Sequence, residues 1–560
     1  MALLSTAAAM AADSTAAIRL DQAGYLPAAP KLAVIAAQPK ARTFTVRRAA
    51  DDKSVYRGSL GKPAQDENSG DQVQLADFTR VTAPGRYVLE IPGVGKSYPF
   101  EIGARAYQRA YYLAMRSFYG QRCGMAVDMG PEFPHHHAAC HLTGAWHASS
   151  GRTGPRASAY GWHDAGDYGR YIVNSGISTG TLLWTWELFR DRIGQIGLHI
   201  PESGNGTPDI LSEIRWNLEW MLSMQDTDGG VWHKQTTEKF SGFIMPEKDT
   251  AASLVIGTGA PPYKGSCATG DFAAVMAIAQ RVYKPYDAAF AARAGEAAAK
   301  AFTWLVANPN VLVLRNPPGV QSGVYGDKEC GDERLWAAAE LWRSTGEARY
   351  RDDFLANYGR FAESAKLPAW ADVGSLGLWT YALAARPDAD PAALDRIRKA
   401  TTALANRLVE LTNANPYRIA LRHDNFTWGS NGVAANMAVA LIAANLVAPD
   451  SRYTPAALEN LHYLLGRNTF SVSWVTAVGT RWFLHPHHRP SGADGIAEPW
   501  PGMLSGGPNK DRQDALLRAL PAGLGPMKLW LDDERSYSSN ENCINWNAAL
   551  VFVLAATLPR

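Results

Sequence analysis

The feature that most restricts how this 560-residue chain can fold is a change of rhythm near residue 103. Before it, from Ile18 to about Glu101, apolar and polar residues alternate in short runs: KLAVIAA, RTFTVRR, DQVQLADFT and GRYVLEIP. Successive side chains on a strand point to opposite faces, so such runs, cut by Pro, Gly and Asp turns, predict roughly seven strands in a small β-sandwich. After it, apolar residues recur every three or four positions over helical lengths, as in DILSEIRWNLEWMLSMQ, AAFAARAGEAAAKAFTWLVA and SNGVAANMAVALIAANLV. These runs continue to the C-terminus with no strand runs alternating between them. The pattern argues against a (β/α)8 barrel and predicts an all-α toroid or solenoid whose function sits on the loops joining helices. The expected division is a sandwich over 17–103 and a helical domain over 104–560. Residues 1–16, which end in an Ala-rich stretch without a basic start, read as a signal remnant or a disordered tail.

Composition narrows the partners. There are 55 basic against 53 acidic side chains, a net charge of +2, so no strong field points to nucleic acid or an anionic membrane surface. No run of about 20 apolar residues is set up to span a bilayer. Eighteen tryptophans is a high count, and several stand beside Gly, Pro or polar residues, among them Trp428 and Trp500. Each by itself is a core residue by default; together they suit a ligand with flat apolar faces, such as a sugar ring. Trp428, in FTWGSN at a loop-to-helix junction, and Trp500 are the expected platforms, whereas Trp336 and Trp342 on one predicted helix are expected to be packing.

Two stretches carry titratable groups in unusual density. Cys123 is followed seventeen residues on by Cys140-His141, and His163 precedes the first acid of GWHDAGDYG. Two thiolates and two imidazoles complete a tetrahedral Zn2+ shell, and four protein ligands leave no open position, so such an ion would be structural. A Cys123–Cys140 disulfide with His141 as an ordinary polar residue is the alternative, and His135, His136 and His137 are taken as a surface loop. In GWHDAGDYG itself, Asp164 and Asp167 read either as turn and cap residues before the apolar run YIVNSGISTGTLLWTWELF or as two carboxylates aimed at one water. The second reading demands a third, protonated carboxyl across a groove.

The segments GWHDAGDYGRYIV, VGTRWFLHPHHRPS with PWPGMLSGGPN, and DDERSYSSNENCINWNAAL resemble, in that order, the base, substrate-binding and acid signatures of glycoside hydrolase family 9, most of whose members are endoglucanases. The opening IRLDQAGYLPAAPKLAVI is similar to the immunoglobulin-like domain that precedes the catalytic domain in one subgroup. The resemblance spans nearly all of residues 18–560. It implies an (α/α)6 barrel behind an immunoglobulin-like β-sandwich, and inverting hydrolysis of internal bonds in β-1,4-glucan. Carried over by motif position, Asp167 is the general base, Asp164 its partner on the water and Glu541 the general acid, while His487 and Arg489 bind substrate. It also implies a zinc on Cys123, Cys140, His141 and His163. GDKECGDE, with Asp327, Asp332 and Glu333, resembles a calcium loop of the same subgroup; the same acids read locally as a helix cap and first turn. Glu213 is noted as a candidate for a second ion.

A polysaccharide-binding protein without activity would have lost Asp167 or Glu541, and both are present. An exo-acting relative, such as a cellobiohydrolase or exo-β-glucosaminidase, is the competing enzymatic reading. A carbohydrate-binding role for the sandwich is disfavoured, since no tryptophan precedes Trp146. The expected context is a secreted or periplasmic monomer acting on β-1,4-glucan, without nucleic acid, membrane or organic cofactor.

Overall fold

A computed structural model describes residues 14–560; most of the 1–16 segment read above as leader or tail lies outside the described residues. The N-terminal part is two facing sheets. One has four strands, ordered Ile18–Arg19, Leu32–Ile35, Gln72–Asp77 and Ala64–Gln65. The other pairs Ser54–Ser59, Thr43–Arg48, Gly85–Ile91 and Gly95–Lys96, with Phe100–Ile102 added against Gly85–Ile91. The alternation explains both. In Thr43–Arg48, Phe44 and Val46 enter a core shared with Ala33, Ile35, Leu89 and Phe100. In Leu32–Ile35 the intervening Val34 points the other way and joins the core of the helical domain, as does Val73. At Leu32–Ile35 the first sheet is thus buried on both faces, while its edge strand Ala64–Gln65 is exposed. The strand Ser54–Ser59, absent from the quoted runs, lies at an edge with four of its six residues exposed, which explains its weak pattern.

Polar contacts lock the sandwich to the helices. Gln22 accepts from the backbone N–H groups of Thr480 and Arg481 (3.0 and 2.8 Å) and donates to the Ser471 carbonyl (2.9 Å). The buried Asp21 carboxylate meets His462 Nδ1 at 2.8 Å.

Twelve helices of ten residues or more follow among the described residues. Six form an inner ring, each packed on the next: Ile172–Ile193, Ser266–Tyr283, Gly331–Thr345, Gly374–Leu383, Ser430–Val447 and Ile544–Thr557, which closes on Ile172–Ile193. The others pack outside. This is the (α/α)6 barrel. The two layers differ as their surroundings require. Ile544–Thr557 is buried along nearly its whole length. The outer Pro391–Ala414 buries a single stripe, Ala393, Ile397, Ala400, Thr401, Ala405, Leu408, Val409 and Thr412, and is capped by Asp390 and started by Pro391. Ser430–Val447 is long and apolar enough to cross a membrane, yet 72% of it is buried as a member of the inner ring.

Ring closure positions the site. The loops just before five of the six inner helices supply Asp164 and Asp167, Tyr325, Trp370, Trp428 and Glu541 to one cleft. These helices therefore present their N-terminal ends, with the positive end of the peptide dipole, toward the cleft.

Candidate active site

The cleft encloses about 710 Å3, within the range of small-molecule sites. Asp164, Asp167, Glu541, His487, Arg489 and Trp428 all line it.

The loop carrying Asp164 and Asp167 is built by close approach. At Gly166 any Cβ would collide with the His487 carbonyl oxygen, so only glycine lets the acid-bearing loop press against the PHHR segment. Asp164 is buried; Oδ1 accepts from Asn174 Nδ2 (2.6 Å) and Oδ2 from the Tyr325 hydroxyl (2.6 Å). Burial, then the neighbouring Asp167 charge, pushes its carboxyl up to about 8. Asp167 Oδ2 accepts from Gly169 N (3.0 Å) and from the Tyr171 hydroxyl (3.3 Å).

Glu541 arrives from the opposite end of the chain. Its backbone is held between two segments: Gly506 N donates to the Glu541 carbonyl (2.6 Å), and His487 N donates to the Asn540 carbonyl (2.9 Å). Its Oε1 accepts from Gly166 N at 3.3 Å. Burial, reinforced by the Asp167 charge, holds this carboxyl well above the ordinary glutamate range, with Arg489 opposing. A protonated acid thus faces the aspartate loop. His487 Nδ1 lies 2.5 Å from the Glu534 carbonyl. A carbonyl only accepts, so the proton sits on Nδ1, and burial keeps the ring neutral. Arg489 spends two donors on backbone carbonyls, Nη1 to Gly166 (2.7 Å) and Nε to Ser241 (2.9 Å), bracing the Asp164–Asp167 loop as well as the cleft.

The aromatic wall consists of Phe240, Trp370, Trp428, Tyr537 and Trp546. Trp428 is 40% exposed and lies 5.4 Å, centroid to centroid, from Tyr537. Trp500 does not belong to it. That indole is 2% exposed, donates to Asp494 Oδ2 (3.0 Å) and packs beside His135 and His137, so the expectation of a sugar platform there is overturned by burial. The surface-loop reading of 135–137 is corrected at the same place: His136 is exposed, but His135 and His137 are buried, with His135 Nδ1 at 2.8 Å from Asp494. Trp336 and Trp342 are core residues. Phe240, Trp370, Tyr325 and Trp546 were missed because a lone aromatic in a loop or helix start is usually core. One signal did exist for Trp546: Gly429 and Gly432 leave a slot, and a Cβ at either would strike its indole.

Beneath the Asp164–Asp167 loop, Cys123, Cys140, His141 and His163 offer four ligand atoms all within 4.8 Å of one another, every residue buried. Neither sulfur is in a disulfide, and both His141 nitrogens lack a hydrogen-bond partner, with Nε2 3.5 Å from the Asp249 carboxylate. Buried imidazole nitrogens without partners are costly, and a soft or borderline divalent cation among two sulfurs and two nitrogens removes that cost. The set fits a tetrahedral ion.

A second cluster contains Asp327, Asp332 and Glu333. Asp271, from the inner helix Ser266–Tyr283, joins them and was missed because it lies in an otherwise apolar helix. Six buried oxygens here find no donor: both of Asp271, both of Glu333, Asp327 Oδ2 and Asp332 Oδ1. Burial and mutual repulsion push Asp271 and Glu333 well up, and burial, with the Asp372 charge, brings Asp332 to about 6. Hard oxygens gathered without counter-charge fit a divalent cation. Next to them Cys267 and Cys330 form a disulfide between the starts of two inner helices, a pair that their 63-residue separation concealed in the sequence. Glu213 holds no place in either cluster; it is buried and paired with Arg122 and the Trp162 indole N–H. Cys543 lines the cleft, where its sulfur accepts from Asn174 Nδ2 at 3.2 Å.

Comparison with known proteins agrees with this geometry. The family description "Glycosyl hydrolase family 9" matches residues 107–554, and "Cellulase N-terminal ig-like domain" matches 13–96. Endoglucanase D of Acetivibrio thermocellus is 37% identical over 96% of this chain and 83% of its own length. The xyloglucan-specific endo-beta-1,4-glucanase BoGH9A of Bacteroides ovatus is 36% identical over 97% of this chain and 93% of its own. Among solved structures, AaCel9A in complex with cellobiose-like isofagomine superposes with a TM-score of 0.88 at 33% identity, covering 97% of this chain and 99% of the other.

Proposed function

Because the chain belongs to glycosyl hydrolase family 9, with a cellulase N-terminal immunoglobulin-like domain before the barrel, we propose that it cleaves internal β-1,4 bonds of glucan chains by single displacement. The observation that carries this reading is the meeting of Glu541, whose carboxyl burial holds well above the ordinary glutamate range, with the Asp164–Asp167 loop in an aromatic-walled cleft. Asp167 takes the proton of a water on one face of the sugar. Asp164, fixed by Asn174 and Tyr325, orients that water. Glu541 gives its proton to the departing glycosidic oxygen. Neutral His487, with an unprotonated Nε2, and Arg489 engage sugar hydroxyls beside the cleaved bond. Trp428 and Trp546 stack on neighbouring rings. Endo action on cellulose-like or xyloglucan-like chains is supported by the names of the two relatives, both endoglucanases.

Cys123, Cys140, His141 and His163 would hold a structural zinc, which supplies a crosslink under the base loop and, with four protein ligands, no site for a nucleophile. Asp271, Asp327, Asp332 and Glu333 would hold calcium. The Cys267–Cys330 disulfide supports residence in an oxidising compartment, outside the cell or in a periplasm.

The test is the configuration of the first product. Proton NMR during hydrolysis of a short β-1,4-glucan should show the α-anomer before mutarotation, with the viscosity of a soluble cellulose derivative falling faster than reducing ends accumulate. A β-anomer in early turnovers, or cellobiose alone released from chain ends, would overturn the mechanism or the endo assignment respectively.

A further inference from the structure

Lys234 is a buried ammonium that no step above employs. It lies on the short strand Lys234–Thr236, directly across from Tyr171 in an antiparallel pair, 1% exposed, with Nζ 5.6 Å from the centre of the Tyr171 ring. A lysine carries three donors. All three are used within one segment: Asn316 Oδ1 (2.6 Å), Ser322 Oγ (3.1 Å) and the Gly323 carbonyl (2.7 Å). The neighbouring His233 continues the grip, with Nε2 at 2.7 Å from the Val324 carbonyl.

That segment touches both aspartates. Gly323 N donates to the Tyr171 hydroxyl (3.1 Å), which donates to Asp167 Oδ2 (3.3 Å). Two residues on, the Tyr325 hydroxyl donates to Asp164 Oδ2 at 2.6 Å. We propose that Lys234 is a positioning residue of the active site: its charged ammonium clamps residues 316–323 so that Tyr171 and Tyr325 hold the two carboxylates at the water, with its charge facing Asp167. The proposal rests on the reading of Asp167 as that base.

The charge is integral to the clamp. Burying an ammonium is unfavourable, and here burial brings Lys234 down to about 7 while the Asp167 carboxylate acts in the opposite direction. The titratable groups that face it are Asp167, the Tyr171 phenol and the adjacent His233, which burial holds neutral at about 4. A neutral side chain of similar length would fill the space and make some of the bonds without the attraction.

Lys234→Met and Lys234→Arg separate charge from packing. Lys234→Met should lower kcat by about tenfold with KM within about twofold, and should move the acid limb of the kcat profile upward by about half a pH unit. Lys234→Arg, still charged, should keep the limb in place and recover most of the rate. If Lys234→Met proves poorly folded by circular dichroism, Lys234→Gln, which keeps donors but no charge, is read in its place with the same expectation. A wild-type kcat in the neutral variant, or equal losses in the neutral and arginine variants with an unmoved limb, would overturn the proposal. Asp167→Asn assayed in parallel keeps the two readings apart: a retained rate there removes the base, whereas a lost rate beside an unaffected Lys234 variant removes only the clamp.

Discussion

The Asp164 carbonyl accepts a hydrogen bond from the backbone N–H of Ile544, at 2.9 Å. This bond joins the residue that leads into the first inner helix to the one that starts the last. It ties the Asp164–Asp167 loop to the segment carrying Glu541 through main-chain atoms, so on the proposed roles the separation of acid and base does not depend on long flexible side chains alone. An inverting reaction needs that separation held constant, with room for one water.

The two roles should separate with the leaving group. Asp167→Asn and Glu541→Gln should each lower cellulosic hydrolysis by roughly 10^3-fold or more while leaving the fold intact. On an aryl glucoside whose phenolate departs unaided, Glu541→Gln should recover much of its rate and Asp167→Asn should not. Steady-state rates on the two substrates decide it, and equal behaviour of the variants would remove the assignment.

The alkaline limb of activity should belong to Glu541. Its carboxyl is raised by burial and the Asp167 charge, so the competent protonated form persists at low pH and is lost as pH rises through the folded value. Arg489 acts against that rise. Arg489→Met should therefore move the alkaline limb upward, by about half a unit or more, while raising KM through lost sugar contacts. A limb moving downward would show that another group controls it.

Zinc removal should act first on stability. Elemental analysis of the purified protein should give one zinc, and stripping it should lower the melting temperature by roughly 5 °C or more. Cys123→Ser should reproduce the loss. Activity should decline in step with unfolding of the 123–168 region, followed by hydrogen exchange, since no position on the ion is open to substrate. Full activity in a fully stripped, stable protein would sink the structural role.

Calcium and Asp271→Asn should cross in their effects. Without a cation, Asp271 and Glu333 keep protons in the fold that they lose when unfolded, so their stabilising contribution is present at low pH and disappears as pH rises through their raised values. Calcium should cancel that dependence. Asp271→Asn should stabilise the stripped protein above neutral pH, by relieving repulsion, and weaken the gain on adding calcium. Thermal melts at two pH values with and without the ion suffice, and identical curves for the variant and parent would refute the site.

What the chain revealed in advance followed the locality of each signal. The strands around Phe44 and Val46 and outer helices such as Asp209–Ser223 and Ala288–Ala307 carry their periodicity within a dozen residues, whereas inner helices such as Ser430–Val447 and Ile544–Thr557 are apolar on nearly every side and show by length and composition. The acids of the 164–167 loop stand in a glycine-bounded segment and Glu541 in the polar run SYSSNEN, neither of which a core would choose. By contrast, Trp500 and His135 stand in equally polar text but are buried by partners hundreds of residues away, which local composition does not encode. Asp271 and Lys234 failed to show for the converse reason. Asp271 is one polar residue in an otherwise apolar helix and Lys234 one of several in the polar run HKQTTEK, and each acquires meaning only from groups that the fold brings against it.

That closing also dates the enzyme's onset. Gly166 and Glu541 are 375 residues apart, so a nascent chain holds its water-activating loop, its thiols and most of its aromatic wall long before it holds an acid. Contacts of such separation form late, after the entropy of the intervening loop has been overcome. Until the final helix seats against the first, the ring lacks its sixth inner helix and the cleft lacks Glu541. Any process that must pass an unfolded chain through a membrane therefore handles a silent molecule.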